Sequence, residues 1–163
     1  MTSNTQQKLH PHTTWLFAFG SIAAAIGATY AASGLGQKAC AAIYFAIVAA
    51  GGFLATYLTR ARVRLAVGAF LVAGAVAGAA YFELVNVIFK TATVVMSDAV
   101  SGGQAHAQGV EAGNFMGHFF GVFVAICVFL ETIVAGIGGA VAGDKSRGEG
   151  GLAALGAFAK SAR

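Results

Sequence analysis

The most constraining stretch of the chain is Phe115 to Val141, FMGHFFGVFVAICVFLETIVAGIGGAV, an apolar run interrupted by one charge, Glu131. Roughly 20 apolar residues suffice for a helix to cross a bilayer, so the run is long enough to span one. A carboxylate in that setting has no water to solvate it. Its cost lies between about 2.5 and well over 10 kcal/mol depending on the scale used. A residue of this kind is expected to be paired, protonated or used in function.

Three more apolar runs precede it, at about 14–32, 39–58 and 65–89. Composition agrees with a membrane protein. Hydrophobic residues make up 58% of the 163 residues and charged residues 10%, against about 25% charged in soluble domains. The 23 glycines follow no collagen-like period and lie among apolar residues, where they let helix backbones approach closely. The fold class expected is all-α: a four-helix antiparallel transmembrane bundle packed through Gly and Ala. A polar tail, 1–13, would precede it and a basic tail, 144–163, would follow it. Residues 91–114 form a long outer loop in this reading. TATVVMSDAV, at its start, is able to extend the third helix or lie in the interface.

The first run begins with Trp15, suited to the headgroup level. Gly20, Ala24, Gly27 and Ala31 recur along it as a small-residue stripe on which another helix is expected to pack. The run is long for a signal peptide, and no clean A-x-A site follows. SGLGQK, residues 33–38, is a short turn that returns the second helix antiparallel to the first. TRARVR, residues 59–64, brings Arg60, Arg62 and Arg64 close to a helix end. Positive charge of this kind stays on the cytoplasmic side. Lys145 and Arg147 agree with that side. The expectation is therefore a multi-pass protein of a bacterial-type inner (plasma) membrane with both termini cytoplasmic. The formal charge of +4 is read as topology rather than nucleic-acid binding. The two cysteines, Cys40 and Cys127, are too few for a disulfide framework.

Two places carry chemistry. Near the outer side, depth at ~1.5 Å per residue puts Glu83 about 9 Å and His118 about 4–5 Å below the surface, on consecutive helices. A Glu83–His118 contact is expected to be within reach, with Asn86 able to join it. His106, Glu111 and His118, with Asp98 nearby, offer donor types for a divalent metal, but their spacing matches no metal motif. His10 and His12 flank Pro11 without a third ligand type close by. The second place is Glu131, about 24 Å further along from Phe115. No Lys or Arg lies within an apolar run to pair with it, and desolvation favours its neutral form. Ala135, Gly139 and Gly143 follow it at four-residue spacing, a pattern read as a packing face containing Glu131. Gly74 and Gly78 form a GxxxG pair, a motif of close helix packing, and Gly117, Gly121 and Gly139 are further packing residues.

In length, glycine-rich helices and a glutamate in the last helix, FLETIVAGIGG, the chain is similar to the proteolipid subunits of rotary ATPases. It departs from them in the long 91–114 link, and Glu83 and TRARVR have no counterpart there. The likeness is one of membrane-helix composition, and no family is assigned.

The function expected is that of a membrane-complex subunit that conducts or exchanges protons or cations through Glu131, with Glu83, Asn86 and His118 as further relay residues. The alternative is a structural or accessory subunit, or oligomeric scaffold, without transport activity. A second alternative is a metal-binding protein or small enzyme built on the outer His/Glu cluster. No Ser-His-Asp set, phosphate loop or zinc motif is present, which argues against a soluble-type enzyme, and no cofactor is indicated. The partners expected are the lipid bilayer and further membrane subunits, either copies of this chain or other proteins, and no nucleic acid.

Overall fold

A computed structural model describes residues 11–59, 61–101 and 106–148. These are helical apart from short connections. The four α-helices are α1 Pro11–Ala31, α2 Gln37–Tyr57, α3 Val63–Ser101 and α4 His106–Gly148. Each is long and apolar enough to cross a membrane by length and composition.

The helix boundaries follow local chemistry. Pro11 opens α1, where its fixed φ suits a first turn and its missing N–H is no loss. A 3-10 turn, Ser33–Leu35, follows α1 and joins the first pair. Gly36 then takes φ 89°, a region that glycine enters without a Cβ penalty, and the chain turns back into α2.

Of the long connection expected over 91–114, TATVVMSDAV extends the third helix, one of the two options open to it, and the loop reading of the part from His106 onward is corrected. α3 continues to Ser101 and α4 already begins at His106. The polar residues here alternate with Ala, Val and Met, which do not oppose a helix. The Thr93 hydroxyl donates back to the Phe89 carbonyl at 2.8 Å, so a residue that prefers caps and turns is accommodated inside the helix. With 39 and 43 residues, α3 and α4 are about 58 and 64 Å long, nearly twice the ~30 Å hydrocarbon core. α4 also runs past the predicted end at Val141, so Lys145 and Arg147 lie in its last turn, where positive charge complements the helix dipole. Arg60, most of the 1–13 tail and residues 149–163 of the basic tail lie outside the described residues.

The chain divides into two compact units. The first comprises residues up to Ala73 together with those from Glu131 onward; the second is Gly74–Leu130. In the first unit, Thr14 lies beside Thr59 (3.4 Å between hydroxyls), Ser21 beside Gly51, and the Cys40 thiol donates to the Ala32 carbonyl. The pairing runs in opposite senses, so α1 and α2 are antiparallel. α2 and the end of α4 run in the same sense: Tyr44 meets Thr132, Ala49 meets Gly139 and Phe53 meets Gly143. Phe70, fully buried on α3, lies over Gly136.

In the second unit, α3 and α4 form an antiparallel pair. Gly109 faces Ser97, Gly113 faces Thr93, Gly117 faces Asn86, Gly121 faces Phe82, and Ala125 faces Gly78. Glycine recurs every fourth residue for three turns of α4. Such a ridge is what a second helix fits against closely. Gly109 and Gly113, which the sequence places in a loop, belong to this seam.

Candidate functional site

Glu131 stands in α4 at the start of the segment belonging to the first unit. It is half-buried. Among the described residues its carboxyl makes no hydrogen bond or ion pair. No described, buried polar side-chain atom is without a partner, so the Glu131 oxygens reach the surface of the protein.

The side chains around it explain this placement. Thr132, Ala135, Gly136, Gly139, Ala140 and Gly143 are all buried, and a Cβ on Gly139 would run into the Ala49 carbonyl. Val134, Gly138 and Val141 point outward, Val134 being 60% exposed, and Gly138 has open space where a Cβ would be. Glu131 lies at the edge between these faces. The expectation that it shares one face with Ala135, Gly139 and Gly143 is corrected accordingly. A four-residue step turns the helix through about 400°, so each step drifts by roughly 40°, and Gly143 ends about 120° away from Glu131. The small-residue seam is occupied by α2, and the carboxyl stands beside it.

The inward neighbour carries the polar contact. Tyr44 and Thr132 share a buried hydrogen bond of 2.8 Å between their hydroxyls, and next to the last residue of α2 the Thr56 hydroxyl donates to the Ala140 carbonyl at 2.8 Å. Both tie α2 to α4. Sequence reasoning missed Tyr44 and Thr56 as partners of α4. The only available signal was that each is a polar residue within an apolar run.

In the second unit, the outer residues are arranged differently from what depth alone suggests. Glu83 is exposed and makes no hydrogen bond or ion pair among the described residues, so the Glu83–His118 contact does not form. Phe82 and Asn86, four residues apart, both face α4; Glu83 is about 100° round from Phe82. The His118 ring meets Phe82 edge-on, with centroids 5.4 Å apart. Its Nδ1 lies 3.1 Å from the Asn114 carbonyl, which requires the proton on Nδ1 and leaves Nε2 available. Asn86 lies against Gly117. His118 is also the one polar member of an open apolar groove of about 490 Å³ along α4, lined by Phe115, His118, Phe119, Val122, Phe123 and Ile126.

His106 pairs with Asp98 at 3.0 Å across the end of the hairpin, and both are exposed enough for water to compete. Glu111 is exposed. Among the described residues no three of His, Cys, Asp or Glu come together in a group able to hold a metal ion, so His106, Glu111 and His118 are not gathered. Cys40 and Cys127 are both free thiols. Of the topology residues, Arg62 and Arg64 are exposed. Among the packing glycines, Gly78, Gly117, Gly121 and Gly139 each face a neighbouring helix, and Gly74 is buried in α3. The α1 stripe is different. Gly20, Ala24, Gly27 and Ala31 are exposed, and α1 instead presents Thr14, Ala18, Ile22 and Ala25, all buried.

No family model, curated protein or solved structure matches the chain.

Proposed function

We propose that this chain is a small multi-pass membrane protein that serves as a subunit of a membrane complex and exchanges protons or cations through Glu131. The reading places four helices across a bacterial-type plasma membrane as a glycine-packed antiparallel bundle, with both termini cytoplasmic. One observation carries it. Glu131 is a carboxyl on a membrane-length helix, has no partner among the described residues, and reaches the surface beside an apolar face. Ionisable groups within membrane helices mark ion and proton paths by default. A carboxyl left without a partner on its own chain is completed by water, a proton or a neighbouring subunit. Proton flux into liposomes containing the purified protein, alone or with its native partners, tests the proposal. Glu131→Gln is expected to abolish flux, and flux equal to the parent would refute the assignment.

A second reading is a structural subunit without transport, in which a neutral Glu131 hydrogen-bonds across an intermolecular helix contact. It is favoured by the outward position of Gly20, Ala24, Gly27 and Ala31, small residues that no helix among the described residues covers at Gly20 and Gly27. It predicts recovery of a stable complex on native purification and no flux from either the parent or Glu131→Gln.

A further inference from the structure

The first unit has two ends of very different character. At one, α2 ends at Tyr57 and α3 begins at Val63. The antiparallel pairing brings the start of α1 to the same end, through Thr14 and Thr59. The last turn of α4 arrives there as well: an Arg147 guanidinium nitrogen donates to the Thr56 carbonyl at 3.4 Å. Arg62, Arg64, Lys145 and Arg147 are thus collected at one end from two separate parts of the chain. Asp144, held by Arg147, is the acid described there. Arg62, Arg64 and Lys145 are exposed. Trp15, next to Thr14, and Tyr57, at the end of α2, are half-buried at this level. Amphipathic rings of this kind favour the headgroup layer. At the other end, around the Ser33–Leu35 turn, Lys38 is the basic residue.

We infer that this basic end is a binding surface for the headgroups of anionic phospholipids. The inference rests on the membrane-spanning reading and is independent of Glu131. Charge complementarity selects the occupant. Among the described residues, four cations against one acid, just beyond an aromatic layer, lie where lipid phosphates lie, and clusters of Lys and Arg immediately beside membrane helices attract anionic lipid. Arginine adds donors in a planar fork suited to phosphate oxygens.

The test uses the full chain reconstituted in vesicles of phosphatidylglycerol and phosphatidylcholine, followed by gentle detergent extraction and quantification of the lipid that remains bound. The parent is expected to retain phosphatidylglycerol about fivefold over its bulk ratio. The combined R62Q/R64Q/K145Q/R147Q variant is expected to fall to the bulk ratio, and Lys38→Gln to behave as the parent. Bulk-ratio lipid on the parent, or undiminished enrichment on the combined variant, overturns the inference. Resistance to alkaline extraction reports insertion separately, so a parent that inserts without lipid preference counts against this surface alone. Should the combined variant not be recovered, the parent decides: enrichment must decline in 0.5 M NaCl, since exposed charges are screened, and salt-insensitive enrichment refutes the inference. Displacement of the lipid by millimolar inorganic phosphate would assign the surface to free phosphate and likewise overturn it.

Discussion

In the first unit, α4 touches α2 backbone to backbone. A Cβ on Gly52 would meet the Gly136 carbonyl, one on Gly139 the Ala49 carbonyl, and one on Gly143 the Phe53 carbonyl. In the second unit the nearest atom to each of these α4 glycines belongs to a side chain, with α3 backbone just behind it: Ser97 at Gly109, the Thr93 hydroxyl at Gly113 and the Phe82 ring at Gly121. The cross-links differ in the same way. Buried hydroxyls bind α2 to α4 at Tyr44–Thr132 and Thr56–Ala140. In the hairpin, rings lie against rings, with Phe89 stacked on Phe120 at 5.1 Å and Phe82 edge-on to His118. One motif, glycine at four-residue spacing, therefore gives two kinds of contact. A backbone carbonyl cannot move aside, whereas a serine, threonine or phenylalanine side chain has rotamers to use. At Gly121, where the closest atom belongs to a side chain, the hairpin seam should tolerate a change that the first unit does not tolerate at Gly139.

Substitutions sharpen this contrast. The largest effect is expected from Gly139→Ala, whose methyl group meets the α2 backbone; a loss of about 3 kcal/mol is expected from overpacking, measured by reversible unfolding in mixed micelles. Next comes the hydroxyl pair. Tyr44→Phe and Thr132→Val should each cost about 1 kcal/mol, and the double variant less than the sum of the two, because both remove the hydrogen bond they share. Strict additivity in the cycle would show that the pair is not coupled. Gly121→Ala should cost less than 1 kcal/mol, since the Phe82 ring gives way and alanine raises helix propensity; a loss as large as that of Gly139→Ala would end the distinction between the units. Smallest is Gly138→Ala, which enters open space beside the critical Gly139 and should stabilise by roughly 0.5 kcal/mol.

The same contrast marks where the sequence was legible. The existence of four apolar helices followed from length and composition, because a long uninterrupted apolar run leaves few alternatives. The second pair of helices was underestimated because polar residues such as Thr93, Asp98, Gln108 and Glu111 resemble a loop. Yet Gly109, Gly113, Gly117 and Gly121 keep one spacing across the supposed boundary, and that period was the signal for a continuous helix. Glu131 was legible as an anomaly, one carboxyl in an apolar run. Its orientation was not, since reading its face from i, i+4 neighbours neglects the 40° drift per step.

The sequence by itself determined the helical class, the membrane-length runs, the isolated carboxyl and the clustering of arginines after α2, all of which depend on local composition and period. The tertiary structure decided which faces are used. It put Tyr44 against Thr132, left Glu83 exposed and unpaired with His118, turned the Gly20–Ala31 stripe outward, and brought Arg147 to the same end as Arg62 and Arg64. Those outcomes depend on the register between helices far apart in sequence, and helical period alone does not encode that register.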